Sequence, residues 1–89
     1  MELRIDFPFL PEGKDLTEMK RELDELLEDD GWLLGSGQTG ENGFVEMELE
    51  DEKVNPKYGI LAVKYYLQRA GFDKKTTIEL AGTRTEIFE

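Results

Sequence analysis

Asp6 and Glu48 are the kind of residues that could do chemistry here, since paired carboxylates can serve as general acid and general base. Little else in the chain would support such a role. Histidine is absent, and with it the usual base near neutral pH and the commonest transition-metal ligand. Cysteine is absent as well, so no disulfide, thiolate nucleophile or thiolate metal site can form. Hard cations such as Ca²⁺ and Mg²⁺ take oxygen ligands, but no loop has the spacing of an EF-hand. The reading is therefore of a protein that is not an enzyme, with no catalytic residue, no metal site and no cofactor.

The second chemical candidate is the glycine-rich stretch "LGSGQTGENG", residues 34–43. "GSGQTG" fits G-x-G-x-x-G on the surface. A phosphate loop, however, sits between a strand and a helix, whose free N–H groups hold the anion. Here the residues that follow read as a strand. The Gly-Lys-Ser/Thr ending of a P-loop is missing, and Glu41 adds negative charge. Two readings remain for the stretch. Its glycines permit the positive φ of a hairpin, or Gly37 and Gln38 belong to a mobile loop fitted to a partner.

The elements that would position these groups follow from hydrophobic periodicity. Leu3, Ile5, Phe7 and Phe9 alternate with Glu2, Arg4 and Asp6, which is the period of a half-buried strand. Asp15 stands three residues before Glu18, the spacing of a capping box. Leu16, Met19, Leu23, Leu26 and Leu27 then line one side of a helix. Glu18, Arg21, Glu22, Glu25 and Asp29 line the other, and Gly31 is the expected C-terminal cap. Trp32, Leu33 and Leu34 begin a short second strand. Val45, Met47 and Leu49 alternate with Phe44, Glu46, Glu48 and Glu50 in a third. Asn55 and Pro56 suit the start of a second helix that runs to about Ala70, with Gly71 as its stop. Its inner stripe is Ile60, Val63, Leu67 and Ala70. "TTIEL" is a fourth strand, and "TRTEIF" either extends it past a bulge or folds back as a hairpin.

The order strand, helix, strand, strand, helix, strand defines one α+β domain over residues 1–89. The expected architecture is ferredoxin-like, βαββαβ, with two helices on one face of an antiparallel sheet and a C-terminal strand extension as one outcome. The acylphosphatases share that fold. They need a glycine-rich phosphate loop with arginine between the first strand and first helix, and "PFLPEGKD" has no arginine.

Charge bounds the partners. The formal net charge is −10. Residues 1–53 hold 17 acidic and 5 basic side chains, giving −12, and residues 54–89 hold 4 and 6, giving +2. Direct nucleic-acid binding is disfavoured, because a phosphate backbone needs a lysine or arginine footprint. The first residues do not read as a signal peptide, and no apolar run approaches a membrane span. A cytoplasmic protein is the expectation.

Three surfaces could meet a protein partner. On the second helix, Tyr58, Leu61 and Tyr65 cluster opposite the inner stripe, with Arg69 one turn beyond Tyr65. Tyrosine and arginine are favoured interface anchors. The open sheet face carries Asp6, Glu46 and Glu48 among other carboxylates, an array able to imitate nucleic-acid phosphates in a basic groove. The end of the first helix, "ELLEDDG", offers Glu25, Glu28 and Asp29, and its Glu28, Asp29 and Asp30 place negative charge at the negative end of the helix dipole. Each also has a plain account as solvated surface.

"GWLLGSGQTGENGFVEMELED", followed by a helix ending "YYLQRAGFDKKTTIEL", resembles a group of small acidic bacterial proteins. These share a βαββαβ plan, a glycine-rich crossing and an acidic third strand. Similar small acidic proteins, bacterial or phage, include toxin-immunity proteins and anti-defence inhibitors, anti-CRISPR proteins among them. The resemblance implies an interaction protein and brings no catalytic residues. The expected function is that of an inhibitor or immunity-like protein that blocks a basic, nucleic-acid-handling partner through its carboxylates. The alternative is a homo-oligomeric module, a homodimer for instance, joined through the Tyr58/Leu61/Tyr65 face.

Overall fold

A computed structural model describes residues 1–50 and 56–88. Strand β1 (Glu2–Phe7) leads to helix α1 (Leu16–Leu27), then a 3₁₀ turn (Glu28–Asp30). Strands β2 (Gly31–Thr39) and β3 (Asn42–Leu49) follow, then helix α2 (Pro56–Ala70), β4 (Thr77–Leu80) and β5 (Thr83–Glu86). All five strands join one antiparallel sheet in the order β2-β3-β1-β4-β5. The described residues thus form an α+β domain of two helices and five strands.

The period-two pattern decides which way each strand faces. Leu3, Ile5 and Phe7 of β1, Val45, Met47 and Leu49 of β3, and Ile78 of β4 are all buried. They share one core with Met19, Leu23 and Leu27 of α1 and Val63, Tyr66 and Leu67 of α2. Both helices therefore cover the same sheet face, and the alternate residues form the other. Phe72 packs beyond the end of α2, edge-on to Phe7 with ring centroids 5.8 Å apart. Asp15 caps α1 as the spacing predicts, its Oδ1 accepting from the Glu18 N–H at 2.8 Å.

Two expectations change, the Gly31 cap and the short second strand. Gly31 does not cap α1. Glu28 takes that place with φ of +50°, and its N–H donates to the Asp24 carbonyl. Gly31 is extended backbone at the start of β2, where a Cβ would stand 3.0 Å from the Glu48 carbonyl oxygen and from Leu27 Cδ1. It is glycine for close packing, not for its dihedral freedom.

Strand β2 is not short either. It runs through the glycines to Thr39, with an irregularity between Leu33 and Gly35. The loop expected over residues 34–43 contracts to a two-residue turn, Gly40-Glu41. Gly40 has φ of +62°, as the first central position of a II′ hairpin turn requires.

The C-terminal segment folds back as a hairpin. Ala81 and Gly82 both have positive φ, of 50° and 85°, the pattern of a I′ turn, and Leu80 pairs with Thr83. Ile87, just past β5, is fully buried. The Asn55 cap lies outside the described residues.

Candidate partner-binding surfaces

The strand register lays out the open sheet face in rows. One row reads Gly35, Glu46, Arg4, Glu79, Arg84 across β2, β3, β1, β4 and β5. The next reads Gly37, Phe44, Asp6, Thr77, Glu86, and Trp32, Glu48 and Glu2 begin the row on the other side. Six carboxylates (Glu2, Asp6, Glu46, Glu48, Glu79 and Glu86) thus share this face with two arginines.

The acidic array is organised around cations rather than left bare. Arg4 Nε donates to both Asp6 oxygens at 3.2 and 3.1 Å, and its Nη1 donates to Glu46 Oε1 at 3.2 Å. The same guanidinium lies 4.2 Å from the centroid of the Phe44 ring, a cation–π contact. Arg84 stands 4.0 Å from Asp6 and 3.8 Å from Glu79. Glu2 and Glu48 face each other directly, which is repulsive for like charges. The Met1 ammonium, 2.9 Å from Glu48 Oε1, offsets that repulsion.

Asp6 and Glu48 do not form an acid–base pair. Asp6 stands opposite Phe44, and Glu48 is four residues further along β3. At the rise of a strand that is roughly 13 Å. Among the described residues no group of three acidic side chains is arranged to hold a metal ion.

Gly37 of β2 and Gly43 of β3 have packing reasons, while Gly35 has open space around it. A Cβ on Gly37 would meet Phe44 Cε1 at 2.7 Å, so the Phe44 ring occupies the space beside that position. On the core side the Phe7 ring does the same for Gly43, with Cζ 2.5 Å from where a Cβ would stand. Gly37, Gln38, Asn42 and Phe44 line a shallow concavity of about 390 Å³ with Arg4 and Asp6. The hairpin thereby brings Gly37 and Gln38 to Asp6.

The other candidates lie elsewhere. Tyr58 and Tyr65 are 68 % and 56 % exposed on α2, with Leu61 half-buried between them. Arg69 folds back so that its Nε donates to the Tyr65 carbonyl at 3.3 Å. This surface belongs to the helix layer, opposite the open sheet face. At the end of α1, Glu25 accepts from Arg21 Nη1 at 3.4 Å and Glu28 is exposed. Asp29 is in the 3₁₀ turn, and its side chain lies outside the described residues. The sequence candidates therefore fall on separate surfaces.

Two features escaped the sequence reading. Trp32 and Leu34 are about half exposed on β2, though their apolar character suggested only a strand start. Glu22, expected on a solvated helix face, accepts hydrogen bonds from Lys14 Nζ and from the Tyr66 hydroxyl, the latter at 2.7 Å. The Lys14 hydrogen bond, with that from Tyr66, holds the Glu22 carboxyl below its ordinary range. Burial, with the Glu22 carboxylate beside it, pushes the Tyr66 phenol well up. The signal was there in part: Tyr66 falls one residue from the α2 inner stripe, where a buried hydroxyl needs a partner.

No protein-family model, curated protein or solved structure matches the chain. Among the described residues no helix is long and apolar enough to cross a membrane.

Proposed function

We propose that this protein is a small acidic binding module of the inhibitor or immunity type, which blocks a basic nucleic-acid-handling partner. The observation that carries the reading is the open sheet face, where six carboxylates outnumber two arginines on one regular surface. Arg4 hydrogen-bonds Asp6 and Glu46, and Arg84 stands within ion-pair distance of Asp6 and Glu79. A pre-ordered array loses less freedom on binding than mobile surface side chains would. Its excess charge steers a basic partner and repels nucleic acid. We also propose that the fold is the ferredoxin-like βαββαβ plan carrying β5 as an added edge strand. The order β2-β3-β1-β4 within the sheet supports that assignment.

The test is capture of basic proteins from a bacterial lysate on immobilised protein at low and moderate salt. A parallel column carries the Glu2→Lys/Glu86→Lys variant. The reading expects a nuclease or nucleic-acid-binding complex that is retained at low salt, released as salt rises, lost on the variant column and inhibited by the free protein. Retention that ignores both salt and charge reversal sinks it.

The second reading is a homo-oligomeric module joined through α2. It is favoured by the exposure of Tyr58 and Tyr65 on the outer side of the helix.

A further inference from the structure

The two edges of the sheet are built differently. Strand β5 is four residues long and carries Arg84 and Glu86, a short charged edge of the kind that discourages pairing with another chain. Strand β2 is nine residues long and, among the described residues, hydrogen-bonds to β3 alone. It contains no lysine, no proline and no charge of either sign. Gly31–Gly40 is the longest uncharged run in the whole sequence, ten residues against six for the next, Tyr58–Val63. Trp32 and Leu34, 48 % and 49 % exposed, stand on this strand.

We propose that the free edge of β2 is a self-association surface, where β2 of a second copy of this chain adds antiparallel and continues the sheet. The charge distribution selects that occupant. Two copies at −10 each repel one another over most of their surfaces. The uncharged edge is where they approach at least cost. A basic partner, by contrast, finds no carboxylate on β2 to pair with. Antiparallel pairing of a strand with its own copy about a two-fold axis is isologous, so uncharged backbone meets uncharged backbone. The irregularity at Leu34 leaves Gly35–Thr39 as the regular run for the ladder. Trp32 and Leu34 then supply apolar contact at its end. Such a ladder falls short of a standard interface of roughly 1,600 Å², so the dimer is weak and dependent on concentration. The inference stands apart from the inhibitor reading, and salt separates them. Screening strengthens association between like-charged copies and weakens association with a basic partner.

Sedimentation equilibrium of the whole chain over a wide concentration range, at low and high salt, tests it. The expected result is a monomer–dimer equilibrium that tightens several-fold at high salt. Leu34→Lys, which places an edge-protecting charge at an exposed position, weakens it by about tenfold or more. Trp32→Lys does the same, and Tyr65→Asp leaves it unchanged. Hydrogen exchange on the unaltered chain checks the same point without a variant: the amides of Gly35–Thr39 gain protection as concentration rises. A chain that stays monomeric throughout overturns the proposal. So does a dimer that salt weakens, that both β2 variants leave intact, or that Tyr65→Asp disrupts.

Discussion

The Tyr66 hydroxyl donates to Glu22 Oε1 at 2.7 Å and so ties α2 to α1 over the edge of the core. Lys14, from the segment before α1, donates to the same carboxylate and lies 5.9 Å from the centroid of the Tyr66 ring. One carboxylate thus joins three parts of the chain. It also aligns Tyr66 beside Phe72, which in turn meets Phe7 of β1.

Removing only the hydroxyl isolates the contribution of that bond. Tyr66→Phe keeps the ring packed and leaves Glu22 with Lys14. A hydrogen bond to a charged group contributes about 1.5–3 kcal/mol, and the partial exposure of Glu22 brings the expected loss to the bottom of that range or just under it, about 1–1.5 kcal/mol. Urea unfolding of the variant gives the value, and Glu22→Gln combined with Tyr66→Phe gives the coupling.

The same pair sets a dependence on pH. The folded Glu22 carboxyl ionises below its ordinary value of 4.5. Its contribution is therefore complete above that pH and is lost as pH falls through the lower folded value. Tyr66 behaves in the opposite sense. Its phenol is raised above the ordinary 10.0, so its contribution is whole below pH 10 and declines as pH climbs further. Unfolding free energy measured across pH should fall at both ends. Glu22→Gln should flatten the acid arm, and Tyr66→Phe should soften both. An acid arm that Glu22→Gln leaves unaltered would count against the assignment.

The glycines of the β2–β3 hairpin should rank by what surrounds them. Gly43→Ala sets a Cβ against the Phe7 ring and 3.0 Å from the Gly37 carbonyl oxygen, where backbone cannot yield. Overpacking of that kind costs about 1–3 kcal/mol. Gly37→Ala meets only the Phe44 ring, on the open face, and costs less. Gly35 has nothing within 4 Å of such a Cβ. Gly35→Ala should be neutral or stabilising by up to about 1 kcal/mol, through lost freedom of the unfolded chain. Thermal unfolding of the three variants checks the order Gly43, Gly37, Gly35. Equal effects would mean that ring contact is not what keeps these positions glycine.

Much of this fold was legible in the residues. Alternation at Leu3, Ile5, Val45 and Met47 marked the strands and the face they bury, and the spacing of Asp15 and Glu18 marked where α1 begins. What escaped was set by contacts between distant residues. Gly35 and Gly37 read as a loop because glycine weakens a strand. Cross-strand pairing and the Phe44 ring make up for it, and neither shows in a local window. Gly31 read as a helix cap from its position, while its real constraint is the Glu48 carbonyl of a neighbouring strand. The open sheet face was legible as to Glu2, Asp6, Glu46, Glu48 and Glu79, while Glu86 joins it only through the β4–β5 pairing. That Arg4 faces Glu46, and that Asp6 and Glu48 stand apart, follows from the β1–β3 register, while Asp6 is the next residue along β1 on the same face as Arg4.

Arg4 is the centre of the open face, and its loss should be read against salt. Arg4→Met keeps much of the aliphatic stem beside Phe44 and removes the charge from between Asp6 and Glu46. Exposed ion pairs contribute up to about 1 kcal/mol and an exposed cation–π contact about 0.5–1 kcal/mol, so a total loss near 1 kcal/mol is expected at low ionic strength. Screening reduces the repulsion among the carboxylates left behind. The difference from the unaltered protein should therefore shrink as salt is raised. Denaturant titrations at two salt concentrations decide it, and a loss independent of salt would assign Arg4 a packing role instead.

Tyr58 and Tyr65 provide the converse case, side chains that the fold does not need. Both are more than half exposed on α2, whose attachment to the core runs through Val63, Tyr66 and Leu67. Surface substitutions away from special features change stability by no more than about 0.5 kcal/mol. Tyr58→Ala and Tyr65→Ala should each stay within that range in urea unfolding, and Tyr66→Ala should far exceed it. If association through α2 exists, the two exposed tyrosines are its anchors, and their removal abolishes it without unfolding the chain. Should Tyr65→Ala instead cost as much as a buried residue, the outer face of α2 would be structural, and the case for a surface there would fall.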